Sequence, residues 1–156
     1  MFLPMPEGAE KMLTKKAEML SLRESYLNGM KLCSDGEFDK AVEDFKRAYS
    51  VALSIGEGVM ASIMIHCICY CYTNLADPSS MINFCDAEKS RHGGELEPGV
   101  FSFYYSIACL FRKQYEKAAE IANDGIKFEQ RNKCLKIVHP AYYYEIAYRA
   151  YSALGL

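Results

Sequence analysis

GEFDKAVEDFKRA, residues Gly36 to Ala48, decides how this chain folds. Asp35-Gly36 is a turn signal, because glycine accepts the left-handed backbone that ends a helix. A helix then runs from about Phe38 to Leu53, with Ala41, Val42, Phe45, Ala48, Tyr49 and Ala52 on one face. Lys40, Glu43, Lys46 and Arg47 fall largely on the other face. Small and aromatic residues share this apolar face, which another helix must cover. One such pair of helices cannot cover its own apolar surface, and the rest of the chain must supply neighbours.

Upstream, Glu7 to Ser34 reads as helical throughout, with Met12, Leu13, Ala17, Leu20, Tyr26, Leu27, Met30 and Cys33 at three-to-four spacing. Asn28-Gly29 is its weak point, where one long helix or two shorter ones would fit. Downstream, Gly56 to Gly58 separates the second helix from Val59 to Leu75. The centre of that segment, IMIHCICYCY, alternates as a buried strand would. Its length of about 17 residues and the lack of a strand partner favour a helix. Asp77-Pro78 starts a fourth helix to about Lys89, and Arg91 to Gly99 reads as a loop. Further helices follow at about 100–112, 115–128 and 141–154. The expectation is an all-α protein of about seven helices in one domain spanning 1–156. Its hairpins lie at about 7–54, 57–90 and 99–129, with a terminal helix at 140–154.

The Gly36–Ala48 pattern resembles the tetratricopeptide helical hairpin, with Gly29 and Ala41 at the close contacts and Phe38 and Phe45 as fillers. The resemblance returns in FYYSIACLFRKQYEKAAEIANDGI, where Tyr115 matches Phe38, Ala118 matches Ala41, Ala122 matches Phe45 and Gly125 matches Ala48. The offset of 77 residues leaves room for one pair between them. In that middle pair Met81 and Cys85 replace the usual alanine and aromatic. The interval of about 37 to 42 residues is similar to long-helix variants of the family, with about three and a half repeats. The resemblance implies a right-handed stack of antiparallel helical hairpins, a solenoid whose concave face is made by the first helix of each pair.

Carried across, the family's groove positions fall on Tyr26, Met30 and Cys33, then Ile63, His66, Tyr70 and Asn74, then Phe103, Ile107 and Leu110. Relatives that hold a terminal carboxylate use Lys, Asn and Arg there, whereas this groove is aromatic and apolar. It suits a hydrophobic peptide or an amphipathic helix. The function implied is a non-catalytic protein-interaction module, an adaptor or scaffold with a protein or peptide partner. Two alternatives stand beside it. One is a dedicated chaperone similar to the small three-repeat chaperones of bacterial secretion systems. The other is a self-associating domain, a homodimer formed through Tyr144, Tyr148 and Tyr151 of the tyrosine-rich last helix.

Composition narrows the other classes. The 156 residues are 51% hydrophobic with net charge −2 and charges of both signs interspersed, so no basic stripe for nucleic acid is expected. The opening MFLPMPEGAEK lacks the basic leader of a signal peptide, and no apolar run reaches the roughly 20 residues of a membrane span. Cysteines 33, 67, 69, 71, 85, 109 and 134 are odd in number and sit within apolar patterns, and no Asn-x-Ser/Thr occurs. Reduced thiols in the cytoplasm are expected. His66, Cys67, Cys69 and Cys71 invite a metal; on a helix Cys67 and Cys71 share a face at four-residue spacing, and two thiolates fall short of the four ligands of a structural zinc site. His92-Gly93-Gly94-Glu95 lacks a nucleophile elbow and reads as a connector, and His139-Pro140 as a helix entry. No catalytic residue, metal or cofactor is assigned.

Overall fold

A computed structural model describes residues 8–96, 99–131 and 140–156. The opening segment up to Glu7, Cys134 and His139 lie outside the described residues. The described chain is seven α-helices and one short 3-10 turn: α1 Ala9–Ser34, α2 Phe38–Ser54, α3 Gly58–Asn74, α4 Pro78–His92, the turn Gly93–Glu95, α5 Ser102–Phe111, α6 Tyr115–Arg131 and α7 Pro140–Ala153. Each helix packs against its successive neighbours, giving an all-α stack of helical hairpins.

The same turn links consecutive helices four times. After α1, Gly36 N–H donates to the Cys33 carbonyl at 3.0 Å and Glu37 N–H to that of Leu32 at 2.8 Å. After α2, Gly56 and Glu57 repeat the pattern on Leu53 and Ala52. Ala76 and Asp77 do so after α3, and Lys113 and Gln114 after α5. Each closure satisfies carbonyls that the helix end leaves free, and each needs one residue at positive φ. That residue is Gly36 (75°), Gly56 (74°), Ala76 (51°) or Lys113 (59°). Three-residue links of this kind hold consecutive helices antiparallel.

Packing follows the small and large alternation. Ala41, Ala48 and Ala52 of α2 are fully buried, as are Ala118 and Ala122 of α6. Gly29 does not break α1: a methyl group there would sit 2.6 Å from the Phe45 ring, so its missing side chain admits that aromatic. Gly125 does the same for the Tyr143 ring. In the middle pair Met81 and Cys85, each 1% exposed, fill the positions of the usual alanine and aromatic. IMIHCICYCY is helical because it is the centre of the stack, with Ala61, Met64, Ile65, Ile68, Cys69 and Cys71 all inaccessible. A helix covered on several sides loses the polar face that would have marked its period.

The 91–99 region differs from a free loop. Helix α4 continues to His92, and Leu96, Val100 and Phe101 are buried anchors on either side of the connection. The Glu95 carbonyl lies where a Cβ on Gly58 would have to be, which ties this segment to the start of α3.

Candidate functional site

Helices α1 and α3 lie side by side, and between them opens a cavity of about 440 Å³. It is lined by Tyr26, Met30 and Cys33 from α1 and by Ile63, His66, Cys67 and Tyr70 from α3, over a floor that includes Phe45. Six of the ten groove positions named from sequence therefore meet around one space. Tyr26 leans on Phe45 with ring centroids 6.2 Å apart, and Tyr70 meets Phe38 edge-on at 6.2 Å. Met30 and Tyr70 stay 44% and 49% exposed, so the rim offers apolar surface to solvent. Asn74 points its amide back at the Tyr70 carbonyl, 2.9 Å away, and so acts within its own helix.

His66 and Cys33 of this site have partners within the fold. His66 is held by Tyr104 of α5, whose hydroxyl hydrogen-bonds its Nδ1 and donates to its carbonyl at 3.2 Å. Burial lowers the His66 pKa below its ordinary 6.5, keeping the ring neutral near pH 7. Cys33 and Cys71 are free thiols with sulfurs 3.6 Å apart, and Cys69 and Cys85 form a similar contact at 3.5 Å deeper in the stack. Burial pushes the Cys67 thiol up to about 12, and it raises Cys69 and Cys71 as well. Such thiols are neutral, poor nucleophiles and poor metal ligands. Among the described residues no group of three or more His, Cys, Asp or Glu side chains is placed to hold a metal ion.

The third stretch of the groove is not open as a simple reading of the repeat expects. Phe103 is only 8% exposed, with its ring 6.0 Å from Tyr142 and 5.5 Å from Tyr143 of α7. The last helix lies across this part of the face and turns Phe103 into a packing residue. Ile107 and Leu110 remain beside a second depression of about 370 Å³, shared with Thr73 of α3 and Ile146 and Arg149 of α7. On α7, Tyr144 and Tyr148 are 54% and 72% exposed, whereas the Tyr151 hydroxyl accepts a hydrogen bond from Asn123 at 2.7 Å.

One feature escaped the sequence. A further cavity, about 670 Å³, lies among α4, α5 and α6, with Asp86, Arg112, Lys117 and Asp124 on its wall. Two acids and two bases line it, and Asp86 accepts from the Tyr105 hydroxyl at 2.6 Å. These residues come from α4, the end of α5 and α6 with no shared sequence pattern, so no periodicity marked them.

Among the described residues no helix is long and apolar enough to cross a membrane. No family model matches the chain, and no curated protein or solved structure matches it.

Proposed function

We propose that this protein is a non-catalytic interaction module of tetratricopeptide type, a right-handed hairpin stack that holds an apolar peptide or amphipathic helix against α1 and α3. The observation carrying this reading is the 440 Å³ cavity, where Tyr26, Met30, Ile63 and Tyr70 converge. Such a surface gains affinity by burying aromatic and aliphatic area rather than by pairing charge. The neutral thiols and the committed imidazole around it favour binding over chemistry. Six free cysteines among the described residues suit a reducing compartment such as the cytoplasm.

Titration of fluorescently labelled amphipathic helical peptides by anisotropy tests this. Tyr70→Ala is expected to weaken binding about tenfold, about 1.4 kcal/mol, while helical content is retained. Equal affinity of wild type and Tyr70→Ala would remove the α1–α3 cavity as the site.

A further inference from the structure

The two thiol contacts of the stack differ in access. Cys69 and Cys85, with sulfurs 3.5 Å apart, are both buried, so a reagent dissolved in water reaches neither. Cys33 is half-buried and stands on the wall of the 440 Å³ cavity, where a small molecule meets its sulfur directly. The sulfur that it touches at 3.6 Å, that of Cys71, is inaccessible. One open thiol against one sheltered thiol is the arrangement of an attacked cysteine and its resolving partner. Cys67 shares the cavity wall, but burial pushes its thiol up to about 12 and keeps it neutral near pH 7.

The pair also joins two elements that the chain keeps apart. Cys33 closes α1 in the first hairpin, and Cys71 lies in the last turn of α3 in the second. We infer that Cys33 and Cys71 are a redox-sensitive modification site, closed to a disulfide by a hydroperoxide, that clamps α1 to α3 beside the cavity. The sulfurs must approach by about 1.5 Å from 3.6 Å to reach the roughly 2.05 Å of a disulfide, and the cavity beside them gives both helices room to do so. With hydrogen peroxide as oxidant the step balances. The Cys33 sulfur attacks one peroxide oxygen, the O–O bond breaks, and the other oxygen leaves as water with the Cys33 thiol proton. A sulfenic acid then stands on Cys33. The Cys71 sulfur attacks the Cys33 sulfur, the S–O bond breaks, and hydroxide leaves as water with the Cys71 proton. Two thiols lose two electrons, and one peroxide becomes two waters. Burial makes Cys71 a weak nucleophile, but sulfurs already in contact react within one molecule, which offsets this. The clamp rests on the geometry of the cavity and not on what the cavity binds.

Mass spectrometry of the full chain after treatment with hydrogen peroxide tests the site. Wild type is expected to lose about 2 Da, two hydrogens, and to regain them with a dithiol reductant. Free thiols are alkylated in denaturant, and chymotrypsin, which cuts after Tyr70 and Tyr72, separates Cys71 from Cys67 and Cys69. The expected cross-linked peptide joins Cys33 to Cys71. Cys33→Ser, a change at a half-buried position with little risk to folding, is expected to abolish both the mass loss and the cross-link. Amide hydrogen exchange of the oxidised protein is expected to slow severalfold over residues 26–33 and 63–71, the two walls of the cavity. A bond that pairs Cys33 with any sulfur other than Cys71 overturns the inference. So does oxidation of Cys33 to a sulfinic acid with Cys71 still free, or a mass loss that persists in Cys33→Ser. Exchange that is unchanged or faster on both walls overturns the clamp.

Discussion

At Gly29 and Gly125 the absence of a side chain carries structural information, because an aromatic ring from the adjoining helix occupies the space. Gly29→Ala is expected to lower stability by about 1–3 kcal/mol through forced displacement of Phe45, measured by urea denaturation. Intrinsic helix propensity alone would predict a gain of about 1 kcal/mol from the same change, so its sign separates the two effects. His66 gives a second test. Its pKa is lower in the folded state, so the unfolded chain takes up a proton that the native protein refuses as pH falls below the ordinary 6.5. The stability held by the neutral ring is complete above that value and is lost progressively on acidification. Melting temperature is therefore expected to fall between about pH 7.5 and 5.5 in wild type, and to fall less in His66→Gln. Equal pH slopes would show that His66 is not held neutral. At this scale the sequence was legible where packing is local: Ala41, Phe45, Ala118 and Ala122 are buried as their spacing implies. Phe103 was not, since what covers it is Tyr142 and Tyr143, about forty residues later in the chain.

The recurring element is a helix end that reverses direction in three residues around one left-handed backbone. Gly36 and Gly56 advertise it, whereas Ala76 and Lys113 adopt the same conformation without a glycine to mark them. An L side chain in this region costs about 1–2 kcal/mol, less for a single well-capped residue. Ala76→Gly and Lys113→Gly are therefore expected to raise stability by about 0.5–1 kcal/mol each, offset in part by the entropy glycine adds to the unfolded chain. Loss of stability in both, by thermal denaturation, would contradict the shared turn geometry. Helix α3 shows the opposite limit of legibility. Its length separated helix from strand, but its period could not, since residues on several of its sides are buried. The buried anchors Leu96, Val100 and Phe101 were hidden for a related reason: they sit among glycines, a proline and charges that together imitate an exposed connector.

For the molecule as a whole, repetition made the architecture readable, because a hairpin that cannot cover itself predicts the neighbours it needs. The cavity between α1 and α3 was readable for the same reason, each repeat presenting equivalent positions to one face. The closure of that face by α7 depends on the path between two distant helices, and no local spacing encodes it. The proposed site for an apolar partner is the open part of the face, where Tyr26, Ile63 and Tyr70 surround one space. The most direct measurement is nuclear magnetic resonance shift mapping on isotope-labelled protein during titration with an amphipathic helical peptide. Shifts are expected to concentrate on α1 and α3 at Tyr26, Met30, Ile63 and Tyr70. Shifts confined to Tyr144 and Tyr148 of α7, or to the cavity wall at Asp86 and Arg112, would contradict it.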